Sequence, residues 1–291
     1  MANYVYNCAA NKKNTGFTTF CEKIGLIKGY IITDSDVEIV DEKTAQTETV
    51  WQDLIQAGSA FPFMAINGLE NQSDDPTYED TPFATELVTN GKMSWRFAHT
   101  FSQPSHRAYF THRNNKGRIV LINEKGEYKG EVDADGKFKG FELSLVNIEN
   151  LMLSDGTASE KTYVKVVLAN ADSVNRNIYT VIPSDHSGLD LMGLIDVRLS
   201  EVSSSVGSLT LEASIYNTGE LQEGFVETDF TILDSTGAAV AIDTFTDNGD
   251  GTYQIDAVAL VAGDYTVRFK PFTMETKGFD TPEILSVTIS A

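Results

Sequence analysis

The segment that most limits the fold of this chain lies near its C-terminus, where the sequence alternates, turns and alternates again. It reads TFTDNGDGTYQIDAVALVAGDYTVRFK, from Thr244 to Lys270. β-Branched and aromatic residues recur at every second position, and clusters of Gly, Asp and Asn separate the runs. Because successive side chains of a strand point to opposite faces, this pattern predicts short antiparallel strands joined by tight turns.

The same pattern extends through residues 207–291, where turn residues separate short runs of strand-like text. The runs are LTLEASIYN, FVETDFTIL, AVAIDTF, TYQIDAVAL, DYTVRFK and EILSVTIS. Many short strands at this spacing are typical of a β-sandwich. We therefore predict two domains, residues 1–200 and a β-sandwich at residues 207–291. The small, polar segment LSEVSSSVGS at Leu199–Ser208 is the predicted linker.

Two features of the C-terminal region favour an Ig-like sandwich. The DNGDG segment at residues 247–251 contains residue types that tolerate a positive φ, and predicts a hairpin turn. Leu260, Gly263 and Tyr265 have the spacing of a tyrosine corner. The D-N-G-D-G-T-Y turn and the following G-x-Y-x-V strand resemble Ig-like repeats of the filamin and bacterial invasin type. An EF-hand would need a glutamate at the twelfth loop position, which is Val258, so a turn is the preferred interpretation.

Residues 1–200 also carry mainly strand patterns, which predict a β-sandwich or barrel-like domain. The predicted strands and hairpins are a strand pair at Gly29–Val40 with its turn at Thr33-Asp34-Ser35, a strand at Gly91–Thr100, hairpin turns at residues 124–126 and 133–136, and strands at Phe141–Val146, Lys161–Leu168 and Ile178–Ile182.

One helix is predicted to flank this sheet. In Thr47–Ala57 the residues Val50, Trp51, Leu54 and Ile55 fall on one helical face, and Gly58 supplies a C-terminal stop.

A second, short helix is predicted behind Pro104, at Ser105–Arg113. Its residues Ala108, Tyr109 and His112 are expected to point inward.

A polar and acidic stretch interrupts the strand patterns from Leu69. It reads ENQSDDPTYEDTPF and contains Pro76 and Pro82, which predicts an extended surface loop. Two interpretations remain for it. The loop is either a mobile excursion, or an arm that contacts a neighbouring subunit or lines an acidic passage.

Residues with catalytic or metal-binding chemistry do not form a recognisable pattern. His99, His106 and His112 lie close in sequence, but no HExxH or cysteine accompanies them, so core or surface roles are preferred. The DADG segment at residues 133–136 fits a hairpin turn better than a calcium loop. The acidic pairs at 74–75 and 79–80 lie in polar text that would not raise a carboxyl pKa. We predict no catalytic, cofactor-binding or metal-binding residues, and we do not expect an enzyme.

Charge narrows the possible partners. The formal net charge of -20 disfavours binding to nucleic acid or anionic lipid, although it also serves solubility. Residues 207–291 hold 14 acidic and 3 basic residues. The two cysteines, Cys8 and Cys21, are too few for a disulfide framework, and no signal peptide or membrane span is visible. We expect assembly in the cytoplasm.

The predicted architecture resembles that of a major tail tube protein of long-tailed bacteriophages: a β domain with one flanking helix, long loops and an appended Ig-like module. The resemblance implies stacked, hexameric rings in which neighbouring subunits pair strands around an acidic lumen. It implies contacts with other copies and other virion proteins, and passage of genomic DNA without specific binding. A virion structural protein in the phage tail is the expected function.

Two other classes of protein share parts of this pattern. A capsid decoration protein or another virion structural protein would have the same β architecture and Ig-like module. An Ig-containing surface adhesin would share the module, but should begin with a signal sequence.

Overall fold

The structure, a computed structural model, describes residues 24–100, 103–154, 156–157, 159–216, 218–269, 278–280 and 283–290. Residues 1–23, which include Cys8 and Cys21 and the N-terminus where a signal peptide would stand, lie outside the described residues. Contacts within the chain divide it after Gly193 into two compact units, which we call unit 1 (residues 1–193) and unit 2 (residues 194–291).

Unit 1 is mainly β, with three short α-helices among its described residues. Its strands are β1 (Ile27–Thr33), β2 (Ala60–Phe63), β3 (Ile66–Asn71), β4 (Thr77–Asp80), β5 (Thr85–Thr89), β6 (Ser94–His99), β7 (Arg118–Asn123), β8 (Tyr128–Val132), β9 (Phe138–Lys139), β10 (Phe141–Ile148), β11 (Thr162–Leu168) and β12 (Ile178–Val181). Its helices are α1 (Glu48–Gln56), α2 (Gln103–Phe110) and α3 (Ala171–Asn177), with 3-10 turns at Thr44–Gln46 and Gly188–Asp190.

One branched antiparallel sheet contains most of these strands, in the order β12-β8-β7-β10-β11-β6-β3. Strand β7 pairs with β1 along one edge and with β8 and β10 along the other, and β1 continues the sheet to β2. Strand β10 pairs first with β7 and then with β11, and a register shift between Leu143 and Leu145 marks the change. Such a bulge lets one strand pass between two layers that enclose a core.

The core of unit 1 is aliphatic and aromatic. Tyr30 is fully buried and stacks between the rings of Phe63 and Phe97, at centroid distances of 5.0 and 4.3 Å. Helix α1 buries Trp51 and Ile55, as its sequence pattern predicts, while Val50 and Leu54 are half-buried. The Trp51 ring packs against Tyr128 at 4.6 Å, so the helix covers β8.

Unit 2 consists of two packed β-sheets. Its strands are β13 (Ile195–Ser205), β14 (Ser208–Ile215), β15 (Phe230–Asp234), β16 (Thr244–Asp247), β17 (Thr252–Asp256), β18 (Gly263–Phe269), β19 (Phe279–Asp280) and β20 (Leu285–Ile289), with a 3-10 turn at Glu227–Asp229. One sheet has the order β16-β17-β14-β13-β19 and the other β15-β18-β20. Alternate side chains of both sheets meet in one hydrophobic cluster. The predicted fold class is confirmed: mainly β, with a C-terminal β-sandwich.

The predicted tyrosine corner is also confirmed. The Tyr265 hydroxyl donates towards the carbonyls of Ala259 and Val261 at 3.2 and 3.1 Å and accepts from the Val261 amide at 3.0 Å. Leu260 of the same connection is fully buried. The phenol therefore satisfies the backbone of the connection that precedes β18.

The predicted linker is wrong. Leu199–Ser208 forms the end of β13, a turn at Val206 and Gly207, and the start of β14. Ser and Val residues can pair in a hairpin as well as they can form a linker, and Gly207 supplies a positive φ of 86° for the turn.

Three smaller predictions need correction. Residues 34–40 do not continue a strand pair, because β1 pairs with β2 and β7, and only an isolated bridge joins Ile39 to Phe138. Most of AVAIDTF is irregular, and β16 begins only at Thr244. The second predicted helix exists as α2, but Ala108 is exposed instead of inward.

Candidate assembly surface

The polar stretch after Leu69 forms the outer half of a long antiparallel hairpin, which we call the arm (residues 72–91). Two backbone hydrogen bonds extend the β3–β6 ladder. The Gln72 amide donates to the Ser94 carbonyl and the Asp74 amide donates to the Lys92 carbonyl, both at 2.9 Å. β4 and β5 then complete the hairpin, with Asp80 opposite Thr85. The predicted loop is therefore wrong in its secondary structure, although it is exposed as expected.

The tip of the arm is a short turn around Pro82 and Phe83. The Thr81 amide donates to the Ala84 carbonyl at 2.8 Å, and the Ala84 amide donates to the Thr81 hydroxyl at 3.1 Å. These two hydrogen bonds close the turn, and the closed turn holds Phe83 at the tip of the arm. Phe83 is 97% exposed.

Both faces of the arm are exposed. Every residue of β4 and β5 is solvent-accessible, including the apolar residues Tyr78, Leu87 and Val88. A hairpin normally buries one face against a core, because exposed two-stranded hairpins are marginally stable. A hairpin that exposes apolar side chains on an ordered backbone is typical of a surface that contacts another molecule.

The arm is also acidic. Residues 72–91 contain five acidic residues and no Lys or Arg. Glu79 lies directly opposite Glu86 across the two strands. Like charges in this position destabilise a hairpin, which makes a positively charged neighbour favourable there.

The base of the arm is held firmly to the sheet. The Arg96 guanidinium donates to both carboxylate oxygens of Glu149, at 3.0 and 2.6 Å, and to Glu70 at 3.1 Å. It also lies 3.5 Å from the centroid of the Tyr163 ring. At the outer end of the ladder, Gly91 has a φ of 72°, and a Cβ there would lie 2.3 Å from the Asp74 carbonyl oxygen. Close approach of the two strands therefore requires glycine at this position.

A groove lies on the exposed side of α2, with a volume of about 470 Å³. Its surface is mostly apolar, and its lining residues are His106, Arg107, Phe110, Thr111 and Leu151. Phe110 is 38% exposed. The segment around the groove is basic, because residues 103–116 contain two Arg and one Lys and no acidic residue, in a chain of net charge -20.

The histidines occupy separate structural positions. His99 is fully buried, and its Nε2 lies 3.0 Å from the Tyr30 hydroxyl. Burial lowers the pKa of His99 to about 4. The His106 Nδ1 lies 2.9 Å from the Thr162 hydroxyl, and the His112 ring packs on Phe61. No group of three metal-ligating side chains occurs within the described part of the chain.

The two DG-containing turns use their carboxylates to hold backbone. In the 247–251 turn, Asp247 accepts from the amides of Gly249 and Gly224 at 2.9 and 3.1 Å. In the 133–136 turn, Asp133 accepts from the amides of Asp135 and Lys137 at 2.9 and 3.0 Å. These bonds lower the pKa of Asp133. Both segments are hairpin turns, as preferred over calcium loops.

Sequence reasoning missed two polar clusters of unit 1. The Tyr128 hydroxyl forms a hydrogen bond of 2.5 Å with His186 Nε2, and His186 Nδ1 lies 2.8 Å from the half-exposed Asp185 carboxylate. The Asp185 carboxylate also accepts from the Glu48 amide at the start of α1. Residues 128 and 185 are far apart in sequence, so no local pattern signals their contact.

The second cluster is an ion pair at the start of β8, between Lys129 of the strand and Glu127, which precedes it. Lys129 is 2% exposed and its ammonium donates to Glu127 at 2.8 Å and to the Thr180 hydroxyl at 3.0 Å. Burial raises the pKa of Glu127, but Lys129 and Asn123 outweigh this effect and the net shift is downward. The first cluster links the sheet to the start of α1, and the second links β8 to β12.

Comparisons of the chain with protein-family models, with curated proteins and with solved structures found no match. None of the helices described here has the length and hydropathy that a bilayer crossing requires. The arm and the basic groove are two exposed features of unit 1 that are suited to binding.

Proposed function

We propose that this chain is a structural subunit of a phage virion, whose copies assemble into stacked, hexameric rings that form the tail tube. Its partners are other copies of itself and other virion proteins. It assembles in the host cytoplasm and becomes part of the virion tail, and genomic DNA passes through the tube without specific binding.

The arm is the observation that carries this proposal. An ordered hairpin that exposes Tyr78, Phe83, Leu87 and Val88 gains free energy only when another surface covers these side chains. Fully burying one large apolar side chain contributes roughly 1.5–3 kcal/mol. Repeated contacts between copies provide such a cover in every subunit of a polymer.

The sheet of unit 1 supports the proposal through its edges. Within the described residues β3 pairs only with β6, and β12 pairs only with β8. An edge strand presents backbone donors and acceptors that a strand of a neighbouring subunit can use. A ring of subunits that share strands satisfies these groups and leaves no open edge.

The net charge of -20 supports a DNA passage. Binding of DNA relies on Lys and Arg that displace counterions from the phosphates, so a tube with an acidic wall repels the phosphate backbone. DNA can then move through the lumen without being held.

The test is negative-stain electron microscopy of the purified protein over a range of concentrations. We expect rings and long hollow polymers. A protein that stays monomeric or trimeric would contradict the tube and favour a capsid decoration protein.

A second measurement tests the passage. In a filter-binding assay at physiological salt, we expect no retention of duplex DNA by the protein. Tight retention would contradict the proposal.

A further inference from the structure

The exposed ring at the tip of the arm and the groove on α2 match in size and polarity. Phe83 is 97% exposed and therefore occupies no cavity of its own chain. The groove has a volume of about 470 Å³, well above the roughly 150 Å³ in which an apolar protein cavity holds a benzene ring. Phe110 and Leu151 provide apolar contacts inside it.

The two segments are also complementary in charge. The arm has five acidic residues and no basic residue, while residues 103–116 have three basic residues and no acidic residue. Arg107 lines the groove, and the Arg113 guanidinium lies 5.1 Å from the centroid of the Phe110 ring. Glu79, Asp80 and Glu86 flank Phe83 on the hairpin. An acidic segment with an apolar tip thus matches a basic rim around an apolar groove.

We propose that Phe83 of one copy inserts into the α2 groove of a second copy, with acidic residues of the arm facing Arg107 and Arg113. This inference rests on the proposed self-assembly and names the two surfaces that meet. The contact joins different surfaces of the two copies, so it is heterologous. Such contacts repeat from copy to copy and generate closed rings or stacked polymers.

A copy of the same chain is the occupant that the charges favour. The chain as a whole is strongly acidic, and the basic segment around α2 departs from this balance at the position of an apolar groove. Two arms would repel each other, because each carries only negative charge. The arm and the groove attract each other, and every copy provides both.

The experiment is disulfide trapping between copies. Cys8 and Cys21 are replaced by serine, and Ala84→Cys, next to the intact Phe83 ring and exposed, and Leu151→Cys are introduced into separate, differently tagged chains that are mixed and oxidised. We expect a dimer linked between positions 84 and 151, identified by peptide mapping. The matched control pairs Leu151→Cys with Val258→Cys, which is 87% exposed in unit 2, and should give no link.

Charge exchange provides a second readout. Arg107→Glu should raise the concentration at which polymers form at least about tenfold, and adding Glu86→Lys in the same chain should restore much of this loss. Both residues are exposed, so the substitutions leave the folded core intact.

The outcomes separate the two proposals. Rings without a link between 84 and 151, and without an effect of Arg107→Glu, would overturn the groove contact and leave the tube standing. A link without rings or tubes would support the contact and contradict the tube. A wild-type protein that remains monomeric would overturn both.

Discussion

The tip of the arm and the β16–β17 hairpin of unit 2 are both short, acidic and closed by side chain to backbone hydrogen bonds, but their surroundings differ. In unit 2, Tyr253 and Ile255 of β17 are fully buried, and Phe245 of β16 packs on the same core. In the arm, every residue of β4 and β5 is exposed. The β16–β17 hairpin stabilises its own domain, whereas the arm exposes apolar side chains to solvent.

The contrast in burial shows that turn chemistry alone does not distinguish a structural hairpin from a binding hairpin. The distinction lies in where the alternate side chains point. Tyr253 is fully buried in unit 2, and its hydroxyl donates to the Gln222 carbonyl at 2.6 Å. Tyr78 has a comparable position on its strand, opposite Leu87, but is 62% exposed.

The largest expected effect is on stability, from substitutions of these two tyrosines. Tyr253→Ala removes a fully buried ring and should lower the free energy of unfolding by about 3–5 kcal/mol. Tyr78→Ala should change it by less than about 0.5 kcal/mol. Urea unfolding followed by far-UV circular dichroism measures both. A loss of several kcal/mol for Tyr78→Ala would show that the arm belongs to the core.

The next effect is a loss of stability at acidic pH that arises from the buried His99 side chain. The pKa of His99, in β6, is lowered to about 4, whereas an unfolded histidine has a pKa of about 6.5. Between these values the unfolded chain binds more protons. The stability that neutral His99 provides is thus complete above pH 6.5 and is lost as the pH falls towards 4.

We expect His99 to account for a loss of about 2.5 kcal/mol in unfolding free energy between pH 7 and pH 4.5. The measurement is urea unfolding at both pH values for the wild type, for His99→Gln, and for His106→Gln as a control. The loss should shrink in His99→Gln and persist in His106→Gln. An equal loss in all three proteins would exclude His99 as its source.

The smallest expected effect compares glycines of the two hairpins. Gly249→Ala, at a φ of 73° with open space around it, should cost about 1 kcal/mol of unfolding free energy, from backbone strain alone. Gly91→Ala, at a φ of 72°, adds a clash with the Asp74 carbonyl and should cost about 1–3 kcal/mol. Thermal unfolding ranks the two variants. Equal costs would mean that the two strands of the arm separate freely at residue 91.

Gly91→Ala should also weaken assembly, because the clash displaces the outer arm and Phe83 with it. Sedimentation of polymers measures this effect, with Gly249→Ala as the matched control. Normal assembly of Gly91→Ala would argue against a fixed direction of the arm.

Much of the fold was predictable because its patterns are local. The α1 stripe, the turns at residues 124–126 and 133–136, and the tyrosine corner all depend on residues within a few positions of each other. The errors occurred where the secondary structure of a segment depends on the strand with which it pairs. LSEVSSSVGS has linker composition but pairs with β14, and ENQSDDPTYEDTPF has loop composition but extends the β3–β6 ladder.

The candidate surface was predictable only in part. Its acidity, its two prolines and its position on the outside follow from the residues themselves. The groove is different, because Phe110 of α2 and Leu151, which follows β10, line it together although they are distant in sequence. No spacing in the chain signals that contact.

The β class, the turn positions, the flanking helix and the excess of negative charge follow from side-chain periodicity and composition alone. Tertiary structure decided which hairpin buries its side chains, which histidine is held neutral, and where a basic groove forms in an acidic chain. Burial and electrostatic environment depend on distant segments brought together by strand pairing, and a linear pattern carries no record of those neighbours.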